Sequence, residues 1–319
     1  MAGTIVIFGD SGSYKTTNAG FYAKYVYKKT RKRVRYISAD KGGWRPIQPL
    51  IDLGIIEPLS IIDVPLPLLL FRKLSLGWWP QSIMNGRIET WDKQHPLIAS
   101  TLKTWEEIGG YIVEGITTVS ETFMESFKGK TYGINPAFSK AEDDPQGGRH
   151  SIGANSLDHY GIIQSEMRAR IASFDLLSCQ ERTLFSAHEA QGEDEDTREG
   201  QRMNVKKPIR GPALVGRKCL PARDTGECIH FERYVQGAKT LVRAHFEPHP
   251  DPVFTHLIYP ACKPRIPAEK MPLLMAKYPG GYFEPGTEKG LDEFLEYEDK
   301  CMEGALEDLK KWKEEIDAK

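Results

Sequence analysis

Residues 5–17 read Ile-Val-Ile-Phe-Gly-Asp-Ser-Gly-Ser-Tyr-Lys-Thr-Thr, and this stretch decides how the rest of the chain is read. Four apolar residues, Ile5 to Phe8, enter a loop of glycine, aspartate and serine, and Lys15-Thr16 then opens an amphipathic segment. Strand, glycine-rich loop and helix in that order form a phosphate cradle. The loop N–H groups and the helix N-terminus both present partial positive charge to anionic oxygens. In such a cradle Lys15 reaches the β- and γ-phosphates of a nucleoside triphosphate, and the Thr16 hydroxyl ligates Mg2+. The spacing G-x-x-x-x-G-K-[ST] is met except at its second glycine, where Tyr14 stands. A bulky residue is penalised there if the backbone needs a positive φ, so Tyr14 predicts a distorted loop. The expected nucleotide-contacting residues are Gly9, Asp10, Ser11, Gly12, Ser13, Tyr14, Lys15, Thr16 and Thr17, with ATP and Mg2+ as cofactors. The competing reading is a glycine-rich strand-to-helix turn with no ligand.

At 319 residues the chain is long enough for one large α/β domain, or for a domain with an appendage. Its 43 basic and 44 acidic residues nearly cancel, so a nucleic-acid partner would have to be held by a local patch or an assembled surface. The longest apolar run, Val64–Phe71, carries Pro65 and Pro67 and is too short to span a bilayer. No basic leader precedes the first strand, which predicts a cytoplasmic protein without membrane contact. Five cysteines without C-x-x-C or zinc spacing read as reduced thiols.

After the loop, Phe21, Tyr22, Tyr25 and Val26 share a helical face, and the basic run Lys28–Arg33 suits the negative end of that helix. Val34–Ala39 and Leu59–Val64 read as strands, and Tyr111-Ile112-Val113 as another that ends at Glu114. The segment from Pro65 to about Trp105, with four prolines and the pair Trp78-Trp79, reads as an irregular insertion or a helix pair under a loop. Residues 128–157 and Gln191–Arg202 read as polar loops, with a helix carrying Ile162, Ile163, Met167, Ile171 and Phe174 between them. Arg182–Ala187 is a strand running into His188-Glu189. Three β-like runs follow at Cys228–Val235, Thr240–Phe246 and Val253–Tyr259. The tail from Gly290 is a charged helix with Leu295, Met302, Leu306 and Leu309 on one stripe, which suits either a packed surface helix or an oligomer seam. Together these predict an α/β fold: a mainly parallel sheet flanked by helices, an antiparallel extension and a C-terminal helix. The domain reading is a core over 1–270, with the insertion at about 65–106, and an extension over 271–319.

A bound triphosphate needs a metal-side carboxylate and a group that handles water. Two acids end short apolar runs, the edge where open α/β sheets place ligands. Glu114 is the expected second Mg2+ contact, and Asp40, after Tyr36-Ile37-Ser38-Ala39, would orient the attacking water. His188 would sense the γ-phosphate. For each acid the bland reading is a cap or turn carboxylate, and for His188 a packed or surface histidine.

The order of these motifs resembles the RecA-like P-loop NTPase core. Gly9–Thr17 matches its phosphate loop, Tyr36–Asp40 its catalytic-acid strand with aspartate for glutamate, and Tyr111–Glu114 its Walker B. Ser186-Ala187-His188-Glu189 stands at its strand-end sensor. More narrowly, Tyr160-Gly161, Gly211–Lys218 and Cys262-Lys263-Pro264-Arg265 are similar to phage-encoded RecA-like ATP-binding proteins, which include single-strand-annealing recombinases. The resemblance covers roughly residues 3–266. It implies that Lys263 and Arg265 reach a neighbouring subunit's nucleotide, with Pro264 departing from the usual middle residue.

The resemblance further implies an ATPase, slow or stimulated by assembly, acting in phage DNA recombination or replication. It implies a homo-oligomer, ring or filament, with single-stranded DNA on loops 128–157 and 190–210. The alternative is a nucleotide-dependent assembly or partner-recruiting protein without direct DNA binding. On that reading, deletion of 289–319 or Trp78/Trp79→Ala abolishes partner capture and leaves ATP binding intact. A nucleotide kinase is disfavoured because no arginine-rich lid segment is present.

Overall fold

The computed structural model describes residues 3–40, 44–61, 67–77, 79–80, 101–102, 108–127, 157–175, 181–195, 206–214, 226–246, 265–286 and 289–317. Nine strands form one sheet: β1 (Thr4–Gly9), β2 (Arg33–Ser38), β3 (Ile56–Ser60), β4 (Ile108–Glu114), β5 (Thr183–Glu195), β6 (Lys206–Pro212), β7 (Glu227–Gln236), β8 (Lys239–His245) and β9 (Tyr282–Phe283). Their order is β9-β8-β7-β1-β5-β4-β2-β3, with β6 paired to the far length of β5. Every neighbouring pair from β3 across to β7 is parallel, while β8, β9 and β6 are added antiparallel to their neighbours. The expected parallel α/β sheet with an antiparallel extension is therefore present.

Strand β1 explains the layering. All six of its residues are buried, as a central strand of a doubly covered parallel sheet requires. Ile5 and Ile7 face a core shared with α1 (Lys15–Thr30), while α2 (Gln48–Asp52) adds Leu50 to that side. Val6 and Phe8 face the opposite core, built with α3 (Pro67–Leu74), α4 (Ile116–Phe127) and α5 (Leu157–Asp175). The first core also takes Leu274 from α6 (Met271–Lys277) and Leu291, Phe294 and Leu295 from α7 (Leu291–Asp317).

Several expectations are corrected. The third strand is Ile56–Ser60 rather than Leu59–Val64. For the segment from Pro65 the structure favours the helical of the two readings over Pro67–Leu74, a core helix: Leu70, Phe71 and Leu74 sit at helical spacing and are fully buried, and proline is compatible with a first helical turn. The polar run from Gln191 continues β5 as far as Glu195, and the register sets Asp194 opposite Lys207 and Glu195 opposite Lys206. Opposite charges directly across a ladder favour pairing. Val253–Tyr259, loop 128–156, residues 196–205, Trp78 and Lys263 lie outside the described residues. Among the described residues no helix is long and apolar enough to cross a membrane.

The tail is no detachable appendage. Its buried stripe is Leu291, Phe294, Leu295, Glu298 and Cys301, so the first half of α7 packs inward. Burying three large apolar side chains is worth about 5–9 kcal/mol as an upper bound. That equals the net stability of many whole domains, so deleting 289–319 would not leave the rest of the fold untouched.

At the amino edge of the parallel strands lies a buried ionic cluster. Arg182, just before β5, donates to Glu227 and, at 3.1 Å, to Glu298 of α7. Arg265 reaches Asp299 at 2.7 Å, and its backbone N–H donates to Glu298 at 3.0 Å. Lys29 and Tyr25 of α1 complete it, each 2.7 Å from Asp299. Burial and the facing Glu298 carboxylate push the Glu227 carboxyl upward.

Candidate functional site

The loop after β1 leads straight into α1, the strand–loop–helix order its sequence predicts, and Tyr14 carries the strain itself. Its φ of 60° and ψ of 21° are left-handed, the geometry a glycine would supply. The distortion expected of the loop is thus confined to one residue, and α1 begins directly at Lys15. A non-glycine residue held there costs about 1–2 kcal/mol. Tyr14 is 44% exposed, so little packing compensates. Tyr14→Gly is expected to stabilise the protein by about 1 kcal/mol after the entropy of the unfolded glycine is charged, a melting-temperature rise of roughly 1–3 °C. A lower melting temperature would contradict that account. Gly9 is required for a different reason: a Cβ there would lie 2.2 Å from the Phe231 carbonyl oxygen of β7.

Lys15 folds back over the loop. Its ammonium donates to the Gly9 carbonyl at 2.9 Å, the Asp10 carbonyl at 2.6 Å and the Ser13 hydroxyl at 3.3 Å. Burial lowers its pKa, while the nearby Glu114, Asp10, Asp40 and Glu189 carboxylates oppose that shift. Among the described residues this cation has no direct carboxylate partner, and it faces a cleft.

The parallel register brings the strand-end acids to the same edge. Ser38 pairs with Glu114, and Gly9 pairs with His188. The Thr16 hydroxyl donates to Glu114 Oε1 at 2.8 Å, the pairing expected of two Mg2+ contacts. Glu114 is buried, and its Oε2 meets no hydrogen-bond partner of good geometry among the described residues. Burial, helped by Asp40, pushes its pKa up, against Thr16, Ser186 and Lys15. A buried carboxylate with a spare oxygen beside a threonine hydroxyl is a hard-oxygen donor set, and Mg2+ takes one or two such protein ligands when phosphates supply others. The residues fit the ion.

Asp40 lies across the cleft against Gly115, whose backbone is left-handed with φ 68°; a Cβ there would stand 3.2 Å from Asp40 Oδ2. The Gly115 N–H donates to the Ser186 hydroxyl at 2.8 Å, tying β4 to β5. His188 is exposed midway along β5, opposite Gly9 at the end of β1, and its N–H donates to the Thr117 hydroxyl at 3.1 Å. Ser11–Thr17 of the loop, Asp40, Glu114, Ser186 and His188 line one cleft of about 320 Å3. Ten of the expected residues, Ser11 through Thr17 with Asp40, Glu114 and His188, thus converge.

Arg265 does not join them. It is bound by Asp299 and Glu298 of its own chain at the opposite edge of the sheet.

Three residues escaped the sequence reading. Asn18, fully buried in α1, donates to the Tyr14 carbonyl at 2.9 Å and accepts the N–H of Leu291 at 3.0 Å. His230, stacked on Phe8 with ring centroids 4.8 Å apart, lies 2.9 Å from Glu189. Arg233 donates to the Ser11 carbonyl at 3.1 Å. Asn18 falls at helical spacing from Tyr14, the one local signal among the three. The others depend on β7 lying beside β1, which no local pattern announces. Comparison with known protein families and with characterised proteins finds no match to this chain.

Proposed function

We propose that this chain binds ATP with Mg2+ and hydrolyses it, as a RecA-like P-loop NTPase. The observation that carries the reading is the Thr16–Glu114 contact beside Lys15 in one cleft, with Glu114 Oε2 left over. Thr16 and Glu114 would hold the ion, which when bound neutralises charge developing on the β- and γ-phosphate oxygens. Lys15 exchanges its carbonyl partners for phosphate oxygens. Asp40 faces the same space and orients water, accepting its proton as a general base. His188, across the cleft, donates toward the terminal phosphate. The loop backbone and the start of α1 supply the remaining N–H donors.

The test is phosphate release from Mg–ATP by the parent and by Glu114→Gln. The parent is expected to turn over, and the variant to lose about a hundredfold in rate while still binding nucleotide. No release by the parent at any protein concentration, with or without single-stranded DNA, would sink the hydrolase reading. A role in phage DNA recombination or replication rests on the family resemblance. So does assembly into a ring or filament completed by Lys263. Retardation of a single-stranded oligonucleotide at low salt, weakening as salt rises, is the measurement that supports the first. A rate that climbs with protein concentration supports the second.

A further inference from the structure

Arg233 stands on β7 two residues beyond Phe231, whose register partner on β1 is Gly9. The strand thus outruns β1 and carries Arg233 alongside the phosphate loop. Its Nη1 donates to the Ser11 carbonyl and lies 3.7 Å from where a Cβ on Gly12 would stand. Two carboxylates on β7 and β5 are otherwise engaged: Glu232 with His245 and Glu189 with His230, each at 2.9 Å. Among the described residues no carboxylate is in ion-pair contact with Arg233. Among the described residues its one side-chain hydrogen bond is to the neutral Ser11 carbonyl, so an exposed positive charge stands beside the loop.

The position of Lys15 says which phosphate this charge would meet. Lys15 Nζ rests on Gly9, Asp10 and Ser13, so the phosphate it takes beyond the β lies against the first half of the loop. The start of α1 serves the α and β positions. Ser11 and Gly12 belong to that first half. We infer that Arg233 is a second in-chain cation for the terminal phosphate and sets the preference of the site for nucleoside triphosphate over diphosphate. The inference rests on the nucleotide reading above. A guanidinium suits the role, because its planar fork matches two phosphate oxygens at once and never loses its charge.

The experiment compares ATP and ADP affinities, both with Mg2+, for the parent, Arg233→Ala, Arg233→Gln and Arg233→Lys by calorimetry. Arg233→Ala is expected to weaken ATP about tenfold or more and to leave ADP within about twofold. Arg233→Gln, which still has an N–H for the Ser11 carbonyl, should behave like alanine, and Arg233→Lys should regain part of the preference. Equal losses for ATP and ADP would mean that Arg233 only braces the loop, and unchanged affinities would make it a spectator. Either result overturns the inference while leaving the nucleotide site standing. A parent that binds neither nucleotide overturns both.

Discussion

Lys15→Ala is expected to weaken Mg–ATP binding by two orders of magnitude or more and to abolish detectable turnover, with the melting temperature nearly unchanged. In the free protein the ammonium contacts two loop carbonyls and a hydroxyl. Each such bond is worth only about 1 kcal/mol net, and their loss is offset by relief from burying the charge. In the proposed complex the same ammonium would meet phosphate oxygens in the cleft beside the loop. Two charge-assisted bonds at about 1.5–3 kcal/mol each give about 3–6 kcal/mol, or roughly 10² to 10⁴ in affinity. Calorimetry and phosphate release measure the two halves of the claim. Parent-like affinity in the variant would mean that nucleotide, if bound, is not bound in this loop. Lys15→Arg should fail as well, because a bulkier planar group does not replace a point charge seated on three close oxygens.

The second large effect is on stability. Arg182→Leu is expected to cost about 3–5 kcal/mol, since it leaves Glu227 and Glu298 facing each other without their shared cation. Both carboxylates are almost wholly buried, so water cannot compensate. The cluster is not fully satisfied even now: Arg182 Nε and Glu227 Oε1 lack hydrogen-bond partners among the described residues. Removing the pair together should accordingly hurt less than removing the arginine alone. Urea midpoints of Arg182→Leu and of Arg182→Leu/Glu227→Leu decide the matter through their difference. A double variant as unstable as the single would mean that the loss comes from packing, not from an uncompensated charge.

The parts of this molecule that could be read in advance are those whose cause is local. Ile5–Phe8, the loop and α1 announce themselves within a short stretch of chain. Asp40 and Glu114 were visible because each ends an apolar run that could only be a buried strand. Helix α3 was legible only as one of two alternatives, because Pro65 and Pro67 hid the spacing of Leu70, Phe71 and Leu74. The outer arm of β5 was misread because its polar residues mimic a loop, although its partner β6 supplies the opposite charges. Arg233, His230 and the Arg182 cluster were invisible for a different reason. Their contacts join residues far apart in the chain, such as Arg233 with Ser11 and Arg182 with Glu298, and depend on strand order rather than on neighbours.

The bond from Leu291 to Asn18, and from Asn18 to Tyr14, has a consequence for how the protein is made. On the ribosome the loop emerges long before the helix that steadies it, which is 273 residues further along the chain. Strand β1 likewise waits for β5 and β7 before either of its edges is paired. At about 5–20 residues per second, that delay is on the order of tens of seconds. Nascent chains should therefore order this loop only once α7 has emerged, with the exposed Ile5–Phe8 segment depending on chaperones until then.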